Sequence, residues 1–265
     1  MNKTPAGSNL VGPLGKSFVM RTEEAQARLA ALGFETEAAG MLIEHFAEAD
    51  RRGKHGHGFS RLPWLEQLEG FDPRASPVRE HADDCYERWR GNGAVGYVVL
   101  RKAVEAQIEA PPEHARLVVV RDCFPTGMLG HYARKLADTG MVGLVTATSP
   151  PRLASPGGGP PLAGTNPIAI AIPSSDGRPL VADVSMGRVT HGDVLMGAAA
   201  REDLVPFGGE QAHKAFALAL GLQLLVDSLV GTSGYGAVVL VAQPEVDPVP
   251  ALRARAVGVR LPGDR

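Results

Sequence analysis

Apolar positions recur at helical spacing through about the first hundred residues and then gather into short β-branched runs, a change of period that predicts helices first and a sheet afterwards. From Thr22, the residues Ala25, Leu29 and Leu32 share one face, and Gly33 is placed to stop the helix. Thr36 is placed to cap a second helix with Ala39, Leu42, Ile43, Phe46 and Ala47 as its stripe; it ends at Asp50-Arg51-Arg52-Gly53, which makes a helical hairpin. Residues 62–70 predict a short helix, and a longer one over about 97–110 is broken by Pro111-Pro112. Strands are predicted over 116–120, 142–147, 168–172, 180–184 and 237–241, and helices over about 127–139, 188–201 and 213–229. In the last helix Phe216, Leu220, Leu224 and Leu225 form the apolar side, and the tail from Val257 can add an edge strand. Residues 1 to about 20 show no period and read as a loose arm. The order of elements predicts a mixed α/β chain of the α+β kind.

Between two of the predicted strands lies a proline-glycine stretch, Pro150 to Gly159, followed by a tight Gly164-Thr165-Asn166-Pro167 turn. Such a loop is costly to order unless rigid strands hold it, and loops held that way commonly carry binding groups. A plain surface crossover is the alternative reading. Composition narrows the field: 27 basic against 29 acidic residues leave a net charge of -2, which offers no electrostatic footprint for nucleic acid or an anionic membrane. The apolar runs read as too short to span a bilayer, and no hydrophobic signal-peptide core is expected at the N-terminus. Cys85 and Cys123 make neither a disulfide framework nor a metal-ligand spacing, so a reducing cytoplasm and no metal site are expected.

Two segments carry candidate chemistry. His57 and Arg61 lie four apart in a glycine-interrupted loop; a histidine can exchange a proton near neutral pH, and an arginine can hold a carboxylate through two parallel hydrogen bonds. Together they suit a small carboxylate-bearing substrate. Gly91-Asn92-Gly93-Ala94-Val95-Gly96 spells the dinucleotide fingerprint, but Tyr86-Glu87-Arg88-Trp89-Arg90 before it is too charged for the required apolar strand, so these glycines read as a turn before a helix.

Arg52-Gly53-Lys54-His55-Gly56-His57-Gly58-Phe59-Ser60-Arg61 resembles the loop R-G-x-x-S-H-G-x-x-R of the malate/L-lactate dehydrogenase family, which also holds ureidoglycolate dehydrogenases and piperideine-2-carboxylate/pyrroline-2-carboxylate reductases. The likeness continues through Gly91–Gly96, Thr148-Ser149-Pro150-Pro151, the Gly164-Thr165-Asn166-Pro167 turn, Asp183 with Gly192, Phe207-Gly208-Gly209 with Lys214, and Leu261-Pro262-Gly263-Asp264. It implies a fold outside the Rossmann class, with a helical substrate and dimer domain over about 21–112, joined by the tail, and a largely antiparallel cofactor-binding sheet domain over 113–265. It also implies a homodimer that moves a hydride between NAD or NADP and the carbon beside a carboxylate. Carried over by position, His57 sits near the reacting oxygen or nitrogen, and Arg61 holds the carboxylate. Ser149, Gly164, Thr165, Asn166, Pro167, Asp183, Lys214 and Gly263 contact the cofactor.

Departures from the family pattern are equally specific. Its serine before the loop histidine is Gly56, its second histidine falls at Pro125, its threonine after Asp183 is Met186, and its lysine after Gly192 is Asp193. A long family segment is missing between Ala200 and Pro206, and the stretch after Gly231 is shortened. Proline transfers no proton, and nothing in the spacing marks His131 as its replacement. Three readings stay open: an oxidoreductase using His57 alone on a 2-oxo, 2-hydroxy or cyclic 2-imino acid; a relative turned to non-redox chemistry; and an inactive binding or dimer-partner subunit.

Overall fold

A computed structural model describes residues 20–264, so the expected loose arm falls outside the described residues except for the buried Met20. Helices α1 (Thr22–Ala31) and α2 (Thr36–Arg51) form the expected hairpin, and the short α3 (Leu62–Leu65) follows. Their apolar faces, with Leu29, Leu42 and Phe46 fully buried, close one core together with Val95, Tyr97 and Val98. Glu35 rather than Thr36 takes the cap position of α2, and its side chain makes no capping bond.

Seven strands form one sheet: β1 (Val78–Ala82), β2 (Tyr86–Arg90), β3 (Ala115–Arg121), β4 (Val142–Ala147), β5 (Ile168–Ile172), β6 (Leu180–Val184) and β7 (Gly236–Ala242). Their order is β1-β2-β3-β7-β4-β5-β6, and only β2 and β3 run parallel. The sheet is therefore largely antiparallel, as the family resemblance implied. The charged segment 86–90 is a strand after all. Alternation explains it: Glu87 and Trp89 turn inward, where Trp89 Nε1 and Gln107 Nε2 each donate to Glu87 Oε2 at 2.9 Å, and Arg88 points out.

Helix α4 (Gly96–Glu109) crosses from β2 to β3 and packs, with α5 (Leu129–Asp138), on one sheet face against Val118, Val120, Val145 and Val239. Although Gly91 to Gly96 now stand between a strand and a helix, a side chain has no room for a different reason than phosphate binding. A Cβ on Gly96 would lie 2.5 Å from Phe124 N and 2.7 Å from Pro125 O, and one on Gly91 would strike the Asp122 carbonyl oxygen. The glycines let the turn press against the 122–125 loop, which contains a cis Phe124-Pro125 bond.

On the other sheet face lies α7 (Ala212–Val230), packed against β3, β4 and β7. Its buried residues are Ala212, Ala215, Ala219 and Val226, not the expected leucines; Leu224 is 66% and Leu225 46% exposed. Small side chains let the helix lie close to the sheet and turn its larger ones away. The segment Gly209–Val230, with a mean hydropathy of 1.3, is long and apolar enough to cross a membrane by length and composition, contrary to expectation. The expected helix over 188–201 shrinks to α6 (His191–Leu195), and the tail forms α8 (Val249–Arg255) with a single strand-like bond, Val181 N to Pro262 O at 3.3 Å, in place of an edge strand.

Gly96→Ala is expected to destabilise the protein by about 1–3 kcal/mol, because backbone atoms cannot yield to the added methyl. Gly40→Ala, on α2 with open space around it, is expected to stabilise by about 0.5–1 kcal/mol. Urea midpoints moving the same way for both would contradict the packing described.

Candidate active site

The site is assembled from a loop after α2, the segments that follow β3, β4 and β6, and the turn that leads into β5. Asp50 at the end of α2 fixes the first loop: its carboxylate bonds His55 Nδ1 at 2.9 Å and accepts from Phe59 N at 3.0 Å. His55 is thereby committed to structure. Lys54 Nζ reaches across to Asp183 Oδ2 at 2.6 Å and so joins the loop to the end of β6. Two residues on, backbone meets backbone. A Cβ on Gly192 would strike the Gly56 carbonyl oxygen, and one on Gly56 would lie 2.8 Å from Asp193 Oδ1. Asp193 belongs to a capping box, with Thr190 N donating to its Oδ2 at 2.8 Å. The glycine and the aspartate that depart from the family pattern therefore face each other.

These contacts enclose a cavity of about 300 Å³ lined by His57, Arg61, Ser149, Thr165, Pro167 and Asp183, among others. Arg61 is 8% exposed, its guanidinium stacks on Trp64 at 3.9 Å, and its Nε and Nη1 have no partner. A buried guanidinium left in that state costs stability unless an anion completes it. The buried Nδ1 of His57 and Oγ of Ser149 are likewise unpartnered. Burial, followed by the charges of Arg61 and Lys54, pushes His57 down to about 3, with Asp193 pulling the other way.

Three lining residues were not legible in advance: Lys54, Arg152 and His191. Burial, then Arg152, Arg61 and Arg201, pushes His191 down to about 4. No spacing rule marks an arginine inside a proline-glycine loop or a histidine opening a five-residue helix.

The rest of the expected cofactor set divides. Asn166 is fully buried and shapes the turn: its Nδ2 donates to the Ala219 carbonyl at 3.0 Å and to Gln223 Oε1 at 2.9 Å, both on α7. A Cβ on Gly164 would strike Ser149 Oγ, so this glycine allows the turn to close on the end of β4. Gly263 lies in an adjoining cavity of about 450 Å³ that shares Lys54, Met128 and Asp183 with the first. Lys214 is exposed on α7 and lines neither cavity. At the position of the second family histidine, Phe124 and Thr126 line the cavity and Pro125 does not. His131 is buried on α5, with Nδ1 2.6 Å from Glu48 Oε2 of α2, and also stays outside it. Among the described residues, no group of three or more histidine, cysteine or acidic side chains is arranged to hold a metal ion.

The chain belongs to the malate/L-lactate dehydrogenase family, whose model matches residues 20–204. It is 30% identical over 249 residues to L-sulfolactate dehydrogenase of Methanothermobacter thermautotrophicus, covering 82% of this chain and 71% of that protein. It is also 30% identical over 230 residues to the Δ1-pyrroline-2-carboxylate/Δ1-piperideine-2-carboxylate reductase of Pseudomonas syringae pv. tomato, covering 75% of this chain and 66% of the relative. The chain thus spans about two thirds of the length of such relatives. Among solved structures, a dehydrogenase from Sinorhizobium meliloti superposes with a TM-score of 0.81 at 25% identity, over 92% of this chain and 87% of that one.

At neutral pH both cavity imidazoles are uncharged. The unfolded chain protonates each near 6.5, whereas the fold holds them near 3 and 4, so unfolding takes up protons below about pH 6.5. Stability is full above that pH and is lost as pH falls toward the folded-state values. Replacing His57 and His191 together by Gln is expected to remove about 2 kcal/mol of the loss between pH 7 and pH 5 at the buried His57, and less at the half-buried, solvent-screened His191. Urea unfolding at the two pH values measures it, and equal losses in variant and parent would contradict the charge state assigned.

Proposed function

We propose that the protein is an NAD- or NADP-dependent oxidoreductase that transfers a hydride to or from the carbon beside a carboxylate, in a small 2-oxo or 2-hydroxy acid or a cyclic 2-imino acid. The observation that carries this is the buried guanidinium of Arg61, without an ion pair among the described residues, in the same cavity as His57 in a chain of this family. Arg61 binds the substrate carboxylate. That anion offsets the charge which, after burial, most depresses His57, and so raises its proton affinity. His57 then gives or takes the proton of the reacting oxygen or nitrogen.

The residues present fit a nicotinamide dinucleotide. Ser149 Oγ is a buried orphan beside the cavity, the Gly164–Pro167 turn closes on it, and the two cavities meet along Lys54 and Asp183 toward Gly263. When bound, the nicotinamide supplies or accepts the hydride. The 300 Å³ cavity, walled by Phe124, Met128 and Leu129 on one side, limits water around the reacting carbon. An imine substrate asks less of His57, since it can be protonated before hydride arrives.

We assign the molecule to the cytoplasm as a homodimer. Leu218, Leu224, Leu225 and Leu229 of α7 stand exposed beside Leu240 and Ile170 of the sheet, an apolar surface of the kind that a second copy covers.

Fluorescence titration with NADH and NADPH, followed by turnover assays on pyruvate-like and cyclic imino acids, tests the reading; no affinity for either nucleotide would end it. His57→Ala is expected to lower kcat by about 10²-fold or more while cofactor affinity holds. Arg61→Met is expected to raise KM for the acid at least about tenfold, more than it weakens the cofactor. For the assembly, sedimentation equilibrium is expected to show a dimer that Leu224→Glu with Leu225→Glu converts to a monomer; a monomeric parent would refute the interface.

A further inference from the structure

One wall of the His57 cavity, the segment after β3, is held from beneath by a buried histidine that the proposed reaction does not use. His45 of α2 is 1% exposed, and its Nε2 accepts the backbone N–H of Met128 at 2.9 Å. We propose that His45 is a positioning residue: through this bond it sets the Thr126–Met128 backbone against the acid and the cofactor, and so governs hydride transfer without touching either. The role rests on the oxidoreductase reading given above.

Thr126, Gly127 and Met128 all line the His57 cavity, and Met128 also lines the adjoining one that reaches Gly263. A shift of this backbone is therefore felt in both. Met128 is the N-cap residue of α5, so its N–H has no acceptor within the helix, and His45 supplies one. An imidazole nitrogen that accepts is unprotonated, which places the ring proton on Nδ1 and leaves the side chain neutral. Burial, followed by the charges of His131, His57, Arg101 and Lys135, favours that form. The ring has little freedom: the centres of His131, Tyr97 and Tyr132 lie 4.6, 5.0 and 5.4 Å away. Gly127, with φ 69°, is pressed onto it; a Cβ there would lie 2.4 Å from His45 Nε2 and 2.3 Å from Tyr97 Cε1. Tyr132 Oη donates to the Thr126 carbonyl at 3.0 Å, so two polar contacts hold the segment to the helices below. Without His45 the Met128 N–H would be left unmet, which is costly enough to move the turn. His45 lies in none of the segments that resemble the family, and it supports the stretch in which Pro125 replaces the second family histidine. Here that stretch meets the cavity without an imidazole of its own, and its polar support comes from below.

A bond that only adds stability is the alternative, and four proteins separate the two: the parent, His45→Gln, His45→Leu and Leu29→Ala. The Gln amide oxygen can reach the place of Nε2, Leu offers no acceptor, and Leu29→Ala loosens the helical core away from the wall. Hydrogen exchange at the Met128 amide is expected to be at least about 30-fold faster in His45→Leu than in the parent, and within about threefold of the parent in His45→Gln. Equal exchange in all three overturns the positioning. On whichever pyruvate-like or cyclic imino acid the parent turns over, kcat is expected to fall at least about tenfold in His45→Leu while KM for the acid, set by Arg61, stays within about threefold. His45→Gln is expected to recover kcat to within about threefold, and Leu29→Ala to keep it within about twofold. A kcat unchanged in His45→Leu, or lowered as much by Leu29→Ala, assigns His45 to stability alone; an equal fall in His45→Gln and His45→Leu shows that the acceptor is not what matters. Either result overturns the role. A parent without turnover on any of these acids sinks the oxidoreductase reading by itself; faster Met128 exchange in His45→Leu then still makes His45 the holder of the cavity wall, and unchanged exchange removes that too. Should His45→Leu fail to fold, His45→Asn, whose amide is too short to reach Met128, takes its place with the same outcomes.

Discussion

The site exists because two stretches more than a hundred residues apart are held backbone to backbone. Lys54 and Asp183 supply the charge contact, and Gly56 and Gly192 remove the side chains that would hold the stretches apart. Without that approach, His57 and Arg61 would sit on a loop at the end of α2, and Thr165, Asp183 and His191 on the far edge of a sheet. Asp50 beneath the loop and the capping box at Thr190 make each partner rigid before they meet, so the entropy of ordering two loops is met locally. The sheet contributes by ending β4 and β6 and beginning β5 on the same side, where Thr148, with N and Oγ1 bonded to Gly236 of β7, fixes the start of the proline-glycine loop.

The charge state of the cavity follows from the same closure. Bringing Lys54, Arg61 and Arg152 together while burying them leaves a pocket in which imidazoles stay neutral and anions are wanted. In the reaction proposed above, an acid bound at Arg61 would offset one of the charges that depress His57 and so raise its proton affinity.

Much of the fold was legible in the sequence, because alternation and β-branching are local. Val142–Ala147, Ile168–Ile172 and Leu180–Val184 fall where their apolar runs place them. Segment 86–90 was missed because its charges hid an alternation that only partners far along the chain satisfy, Gln107 among them. The outward-facing leucines of α7 were misjudged because periodicity gives a stripe but not which side meets the sheet; the alanines do, by allowing a closer approach. At the site, His57 and Arg61 were readable from spacing and family pattern, and the structure puts them on one cavity. Arg152 and His191 were not, since their significance comes from having no counter-ion, a property of three-dimensional surroundings alone.

The facing departures at positions 56 and 193 close a route through sequence space. A serine restored at 56 would bring its Cβ to within 2.8 Å of the Asp193 carboxylate, and a lysine restored at 193 would strip Thr190 of its capping partner. A side chain at 56 therefore meets both the Asp193 carboxylate and the backbone of residues 192 and 193, and a change at 193 is felt at Thr190.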